Sequence, residues 1–262
     1  MCEVFGYSRQ AYYKRFKVEN RRQEELRRII SEVSLIRRKQ PKVGCRKLQK
    51  MLKAREIKVG RDRLFNVLRD NNMLVKRRKK YVRTTQSYHR FRTYKNLIKQ
   101  RQPQRPEEVF VSDITYIDTM EGYSYLSLIT DQCSRKIVGY SLSKSLSIEG
   151  SLRALKMALK QVSDPSKLTH HSDRGIQYCS KGYTDLLKSN SVQISMTEEN
   201  HVYENALAER INGILKDEFM LGEKLQSYKV AKKMVREAIG TYNKERLHLA
   251  LDYITPEQKH AA

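Results

Sequence analysis

Apolar side chains recur at three- and four-residue intervals over the first part of the chain and at alternate positions from Val109 onward. That change of period separates a helical region from one that opens with strands. Residues 21–38 put Leu26, Ile29, Ile30, Val33 and Ile36 on one face of an amphipathic helix with a basic outer surface, and Pro41 ends it. Ser8 is placed to cap a further helix before it. Two more helices are expected at 46–54, with Leu48, Met51 and Leu52 inward, and at 61–71, with Leu64, Phe65, Val67 and Leu68 inward. Residues 55–60 form the turn between them. A helix, a short turn and a basic second helix suit insertion into a major groove, although a three-helix core with no DNA role shows the same spacing.

The second region reads as strands at 109–119, 123–130 and 136–143, a helix at 150–161, a strand at 168–171, a helix at 180–189, a strand at 192–196 and a helix at 205–219. Helix continues at 228–242, and Thr255-Pro256 reads as an N-cap followed by proline at the first helical position. The order βββαβαβα around a mixed sheet is that of ribonuclease-H-like domains. The expected fold is α/β, a ribonuclease-H-like catalytic domain preceded by an all-α helix-turn-helix domain. The expected divisions are 1–80 as a basic helical DNA-binding region, 81–105 as a basic linker, 106–225 as the catalytic core and 226–262 as a C-terminal helical segment.

Charge sharpens that division. Of the net +24, residues 1–105 carry 33 Lys/Arg against 8 Asp/Glu, while residues 106–262 carry 20 against 21. An excess confined to one part of the chain repels itself unless a polyanion is near, so the front part is expected to bind nucleic acid. Arg46, Lys47, Arg61 and Arg63 on the two short helices, and Lys76, Arg77 and Arg78 after them, are the candidate DNA contacts. Cys2, Cys45, Cys133 and Cys179 are far apart with no C-x-x-C pair, which points to reduced thiols and away from a zinc finger. No apolar run approaches the roughly 20 residues of a membrane span, and the N-terminus has no signal-peptide pattern. The expected location is the bacterial cytoplasm, with the nucleoid and without a membrane partner.

Among the acids, Asp113 falls on the first strand, Asp173 just after the fourth and Glu209 in the helix after the fifth, with 35 residues between the last two. Carboxylates brought together repel unless a cation neutralises them, and hard oxygen donors select Mg2+ or Mn2+. Two such ions suit in-line phosphoryl transfer. The spacing alone is weak, because a segment with 21 acids yields such pairs by chance. Asp131 and Asp118, also on expected strands, compete with Asp113. His171 and Gln177 flank Asp173 and read as orienting or structural. Lys216 lies two helical turns after Glu209 and is a candidate phosphate contact; Asn205 and Arg210 are weaker candidates. Arg246 and His248 fit either helix packing or DNA contact.

Val-Ser-Asp113-Ile-Thr-Tyr, His-Ser-Asp173-Arg-Gly-Ile-Gln-Tyr and Glu204-Asn-Ala-Leu-Ala-Glu209-Arg-Ile-Asn-Gly-Ile-Leu-Lys216-Asp-Glu218 resemble the three catalytic blocks of insertion-sequence transposases of the IS-three family, relatives of retroviral integrase. Tyr242-Asn-Lys-Glu-Arg246-Leu-His248 with Thr255-Pro256 resembles the family's closing block, and Gly44-Cys-Arg46-Lys47-Leu48 its helix-turn-helix block. Phe110 stands where the family often has Trp, Glu204 replaces a frequent Asp, and Glu198-Glu199-Asn200 is more acidic than the usual loop. The resemblance implies a metal-dependent DDE polynucleotidyl transferase, with Asp113, Asp173 and Glu209 as catalytic and metal-binding residues. It would cleave and join double-stranded DNA at element ends and target, acting as a homo-oligomer on DNA. It also implies a second-reading-frame product whose partner segment is encoded upstream. A ribonuclease-H-like nuclease shares the metals, and a helix-turn-helix regulator explains residues 1–105 but gives the three acids no task.

Overall fold

Ser8 starts a helix of 31 residues, Arg9–Lys39 (α1), by accepting a hydrogen bond from the Ala11 amide at 3.1 Å. The computed structural model describes residues 6, 8–75, 91–99, 102–198 and 205–262. The Ser8-capped helix and the one expected from residue 21 are a single element, because neither proline nor glycine interrupts residues 9–39. Cys45–Ala54 (α2) and Arg61–Asp70 (α3) complete the first of two compact units, Met1–Arg77. Ile29, Val33 and Ile36 of α1 meet Leu48, Leu52, Leu64 and Leu68, with Val43, Ile57 and Val59 closing the cluster. Each such side chain contributes roughly 1.5–3 kcal/mol on burial, against about 0–1 kcal/mol for an exposed ion pair, so this core decides the packing. One expected inward residue is not inward: Phe65 is 44% exposed. Leu64 and Leu68 already fill the α3 contact, and Phe65 lies about 100° round the helix from Leu64.

The second unit, Arg78–Ala262, is built on five strands: Val109–Thr119 (β1), Gly122–Asp131 (β2), Ile137–Ser143 (β3), Thr169–Ser172 (β4) and Gln193–Met196 (β5). Their order is β3-β2-β1-β4-β5, antiparallel through the first three and parallel from β1 to β5. This is the mixed sheet expected from the element order. Alternation along β1 sorts side chains between two layers. Phe110 and Ile114 join the cluster formed by Ile148–Leu159 (α4), the short Ile176–Cys179 (α5) and Lys181–Ser189 (α6). Val109, Val111 and Ile117 face Ala206–Glu218 (α7) and Tyr228–Lys244 (α8) on the other side.

The core extends past the three acid-bearing blocks in both directions. Ile98 packs against Val109, Val111 and Ala208, and the Leu97 amide donates to Ser195 Oγ at 2.9 Å. At the far end α8 buries Ala231, Val235, Ala238, Ile239 and Tyr242 in one cluster with Ile211, Ile214 and Leu215 of α7. The closing block then ties the layers together. Asn243 bonds both the amide and the carbonyl of Ile137 at 2.9 Å, and Tyr242 donates to the Arg135 carbonyl at 2.9 Å. Arg246 forks onto Glu218 at 2.9 and 2.7 Å, and His248 lies edge-on to Tyr242 at 5.2 Å. Both Arg246 and His248 are buried, so packing is their role. Thr255 and Gln258 form a capping box at the start of Pro256–Ala261 (α9). Among the described residues no helix is long and apolar enough to cross a membrane.

Gly139 on β3 lets α4 approach closely: a Cβ there would collide with the Ala154 carbonyl and touch Ala158 Cβ at 3.0 Å. Gly139→Ala should therefore lower stability by about 1–3 kcal/mol, through overpacking against backbone that cannot swing away. Urea unfolding of the full chain checks this; an unchanged midpoint would show that the sheet and α4 separate freely.

Candidate active site

The last paired residues of β1 and β4 are Ser112 and Ser172, running parallel. One step further along each chain stand Asp113 and Asp173, on neighbours separated by about 4.8 Å. Asp113 faces the α7 layer: Asn212 of α7 donates to its Oδ2 at 2.7 Å, and the Ile114 amide donates to Oδ1 at 2.8 Å. The Gly175 amide donates to Asp173 Oδ1 at 2.9 Å. Glu209 lies on the exposed side of α7, three residues before Asn212.

The acids act on one another. The Asp113 pKa is raised to about 7, first because surrounding protein crowds its carboxylate and second because Asp173 is negative; the Ile114 and Asn212 hydrogen bonds oppose this, and Glu209 adds a smaller push. Among the described residues no three His, Cys, Asp or Glu side chains stand close enough to hold one metal ion. The structure therefore brings Asp113, Asp173 and Glu209 into electrostatic contact without closing them on a common point.

Strand parity removes the competitors. Leu126 and Leu128 of β2 face α7 and α8 whereas Ile129 faces α4, so Asp131 lies on the opposite face from Asp113. Asp131 is fully buried and accepts from the Ser134 amide and hydroxyl at 2.6 and 2.7 Å and from the Glu107 amide at 2.8 Å. It fastens a turn. Asp118, at an even position of β1, also points away from Asp113.

The neighbouring polar residues serve as scaffold. His171 is buried with Nδ1 2.9 Å from Ser195 Oγ, and Gln177 donates to the Leu146 carbonyl at 2.8 Å. His170 Nε2 lies 2.6 Å from Ser112 Oγ and 3.0 Å from Tyr183 Oη, and burial holds its pKa down at about 3, so it stays neutral. Asn205, just ahead of α7, donates to the Ser112 carbonyl at 3.0 Å and so fixes the start of α7 against β1. Lys216 is half-buried two turns beyond Glu209, and Arg210 is exposed. Glu198, in the acidic loop, pairs with Lys99 at 2.8 Å; Glu199, Asn200 and Glu204 lie outside the described residues.

Two integrase core domain family models match the chain, at residues 103–201 and 190–256. The chain is 36% identical, over 98% of its length and 96% of the relative's, to the Insertion element IS600 uncharacterized 31 kDa protein of Shigella sonnei. It is 28% identical, over 98% of its length and 92% of the relative's, to Transposase InsF for insertion sequence IS3A of Escherichia coli. The chain belongs to the IS3 family of insertion-sequence transposases. A simian T-cell lymphotropic virus intasome structure matches 84% of this chain and 71% of its own with a TM-score of 0.53 at 18% identity, a likeness of fold.

In this transposase, Asn212 is the residue of the site that the sequence did not single out. Its signal is position, about one helical turn after Glu209, yet an Asn inside a helix carries no mark of its own. It is buried, and its Oδ1 has no hydrogen-bond partner among the described residues.

The raised Asp113 pKa sets a pH dependence. Without a cation, a carboxyl whose folded pKa is near 7 and whose unfolded pKa is near the ordinary value favours folding fully at low pH, and that contribution is lost as pH rises through about 7. A divalent cation must displace the proton, so Mg2+ should raise the melting temperature more at pH 8 than at pH 6. Asp113→Asn should abolish that difference. An equal Mg2+ effect at both pH values, in wild type and variant alike, would mean that Asp113 does not meet the ion.

Proposed function

We propose that Asp113, Asp173 and Glu209 are the catalytic carboxylates, holding divalent magnesium or manganese, two ions in all, while the chain cleaves and joins DNA at insertion-sequence ends. The observation that carries this reading is the juxtaposition of Asp113 on β1 with Asp173 just past the end of the adjacent parallel β4, with Glu209 of α7 acting on Asp113. The donor set fits such ions, being three carboxylates without thiolate or imidazole, and the raised Asp113 pKa marks a place short of positive charge. The ions would supply charge neutralisation at the phosphodiester.

The chain's own residues supply the frame. Asn212 and the Ile114 amide orient Asp113, and the Gly175 amide orients Asp173. Glu209, exposed on a flexible stem, turns inward to complete the set. Lys216, two turns on, contacts substrate phosphate. The reaction taken from the family resemblance is hydrolysis to leave a 3′ hydroxyl, followed by attack of that hydroxyl on a second phosphodiester, in the element's other end or in target DNA. Two ends have to be held together for this, which calls for a homo-oligomer on DNA; an upstream-frame product is a further partner.

The first unit is the main DNA anchor. Arg46 is exposed on α2 and Lys47 half-buried, while Arg61 and Arg63 are exposed on α3. Arg63 is bonded to both oxygens of Glu25 at 3.1 and 2.9 Å, and Arg61 to Asp62 at 2.8 Å, so each must leave a carboxylate to reach a phosphate. Such exposed pairs are weak and DNA can displace them. Lys76, Arg77 and Arg78 lie outside the described residues.

In the full chain, Asp173→Asn and Glu209→Gln should keep binding to labelled terminal-repeat DNA and lose detectable strand joining in Mg2+. Joining at the wild-type rate by either variant would remove that residue from the catalytic set. Binding itself should be governed by phosphate contacts, with affinity falling on the order of 1,000-fold between about 50 and 200 mM salt. A flat response measured by fluorescence anisotropy would show that the basic unit does not track the backbone.

A further inference from the structure

The face of α3 turned away from its core carries four exposed side chains in one stripe, Asp62, Phe65, Asn66 and Arg69. Their spacing of three, four and seven residues keeps them together along the helix, opposite the fully buried Leu64 and Leu68. Phe65 adds nothing to the core of the unit in this position. Ring, amide, guanidinium and carboxylate in one stripe together offer the apolar, donor and acceptor groups that base edges in a major groove can meet.

Next to the stripe lies a cleft of about 390 Å3, lined by Gln49, Lys50 and Lys53 from α2 and by Lys58, Val59 and Gly60 ahead of α3. Gly60 is the N-cap of α3 and offers no side-chain cap, so the positive end of the helix adds to the three ammonium groups. Lys53 and Lys58 have no carboxylate partner among the described residues, unlike Arg61 and Arg63. The charge of this part of the chain, 33 Lys/Arg against 8 Asp/Glu over residues 1–105, opposes a second copy of itself and favours a polyanion.

We propose that the α3 stripe reads base edges in the major groove of double-stranded DNA, while Lys53 and Lys58 grip the flanking phosphates. This rests on the reading of the first unit as the DNA anchor and assigns its specificity to residues other than the arginines named from sequence. The side-chain chemistry fits the groove. Asn66 can bond adenine through N6 and N7, Arg69 can fork onto guanine O6 and N7, and Phe65 can pack on a thymine methyl. Asp62 can accept from cytosine N4 and is repelled by phosphate, which favours base over backbone at that position. Arg69 Nε is 3.2 Å from Asp70 Oδ1, a pairing that leaves both terminal nitrogens for a base. A lysine on the first helix of the pair and another in the turn, with base contacts on the second helix, match the division of labour of helix-turn-helix docking.

The test is selection from a random-sequence duplex pool by the full chain, followed by affinities for the selected duplex and for an unrelated one. Wild type should enrich a defined motif. Asn66→Ala and Arg69→Ala should each lose preference at one base pair, by roughly 5- to 100-fold, and leave affinity for unrelated duplex unchanged. Phe65→Ala should lose a thymine preference. Lys53→Ala with Lys58→Ala should weaken binding to every duplex alike and lower the salt slope, while keeping the motif. Because all these side chains are exposed, melting temperatures should match wild type, and that is measured for each variant. If wild type enriches a motif and the Asn66 and Arg69 variants enrich the same one unchanged, the stripe is not the reader, although the DNA-anchor reading stands. If wild type binds duplex with steep salt dependence but enriches nothing, base reading by this face is refuted. If it binds no duplex at all, the anchor reading falls with it.

Discussion

Parallel pairing of β1 with β4 is the constraint on which the site depends, because it sets two carboxylates side by side at the point where the ladder ends. Left alone, Asp113 and Asp173 repel, and the fold spends specific interactions on holding them there. Asn212 and two backbone amides receive the carboxylate oxygens. Beneath them His170, kept neutral by burial, joins Ser112 of β1 to Tyr183 of α6. Asn205 bonds the Ser112 carbonyl, so α7 is fixed to β1 one residue before the first acid. Burial of the Asp113 carboxylate, with the negative charge of Asp173 beside it, raises the Asp113 pKa, and a cation would offset both.

The closing block serves the same end from a distance. Arg246 grips Glu218 in the last turn of α7, Tyr242 and Asn243 grip the chain around β3, and the apolar face of α8 fills the space between. Glu209 thus sits on a helix held at one end through Asn205 and at the other through Glu218.

Much of this was legible in the sequence. Period-two alternation marked β1, and the element order marked the mixed sheet. The three acids stood in blocks that resemble those of a known family. What the sequence could not settle were choices that need the third dimension. Asp131 and Asp113 both sit on strands, and only the pairing of β2 with β1 shows that they face opposite layers. Arg246 and His248 carry polar side chains that suit DNA or burial equally until Glu218 and Tyr242 are seen beside them. Phe65 fits the apolar spacing of its helix, and nothing local shows that Leu64 and Leu68 alone occupy the contact face. Arg63 had an acid partner 38 residues away, which no local pattern reveals. Asn212 was silent because its partner, Asp113, is 99 residues away in the chain.

The proposal at the centre is that Asp113 and Asp173 would hold a divalent ion between them. Anomalous scattering from crystals of the full chain grown with Mn2+ tests it most directly. The account predicts manganese bound by a carboxylate oxygen of Asp113 and one of Asp173. Ordered manganese elsewhere on the protein, with none bridging these two residues, would contradict it.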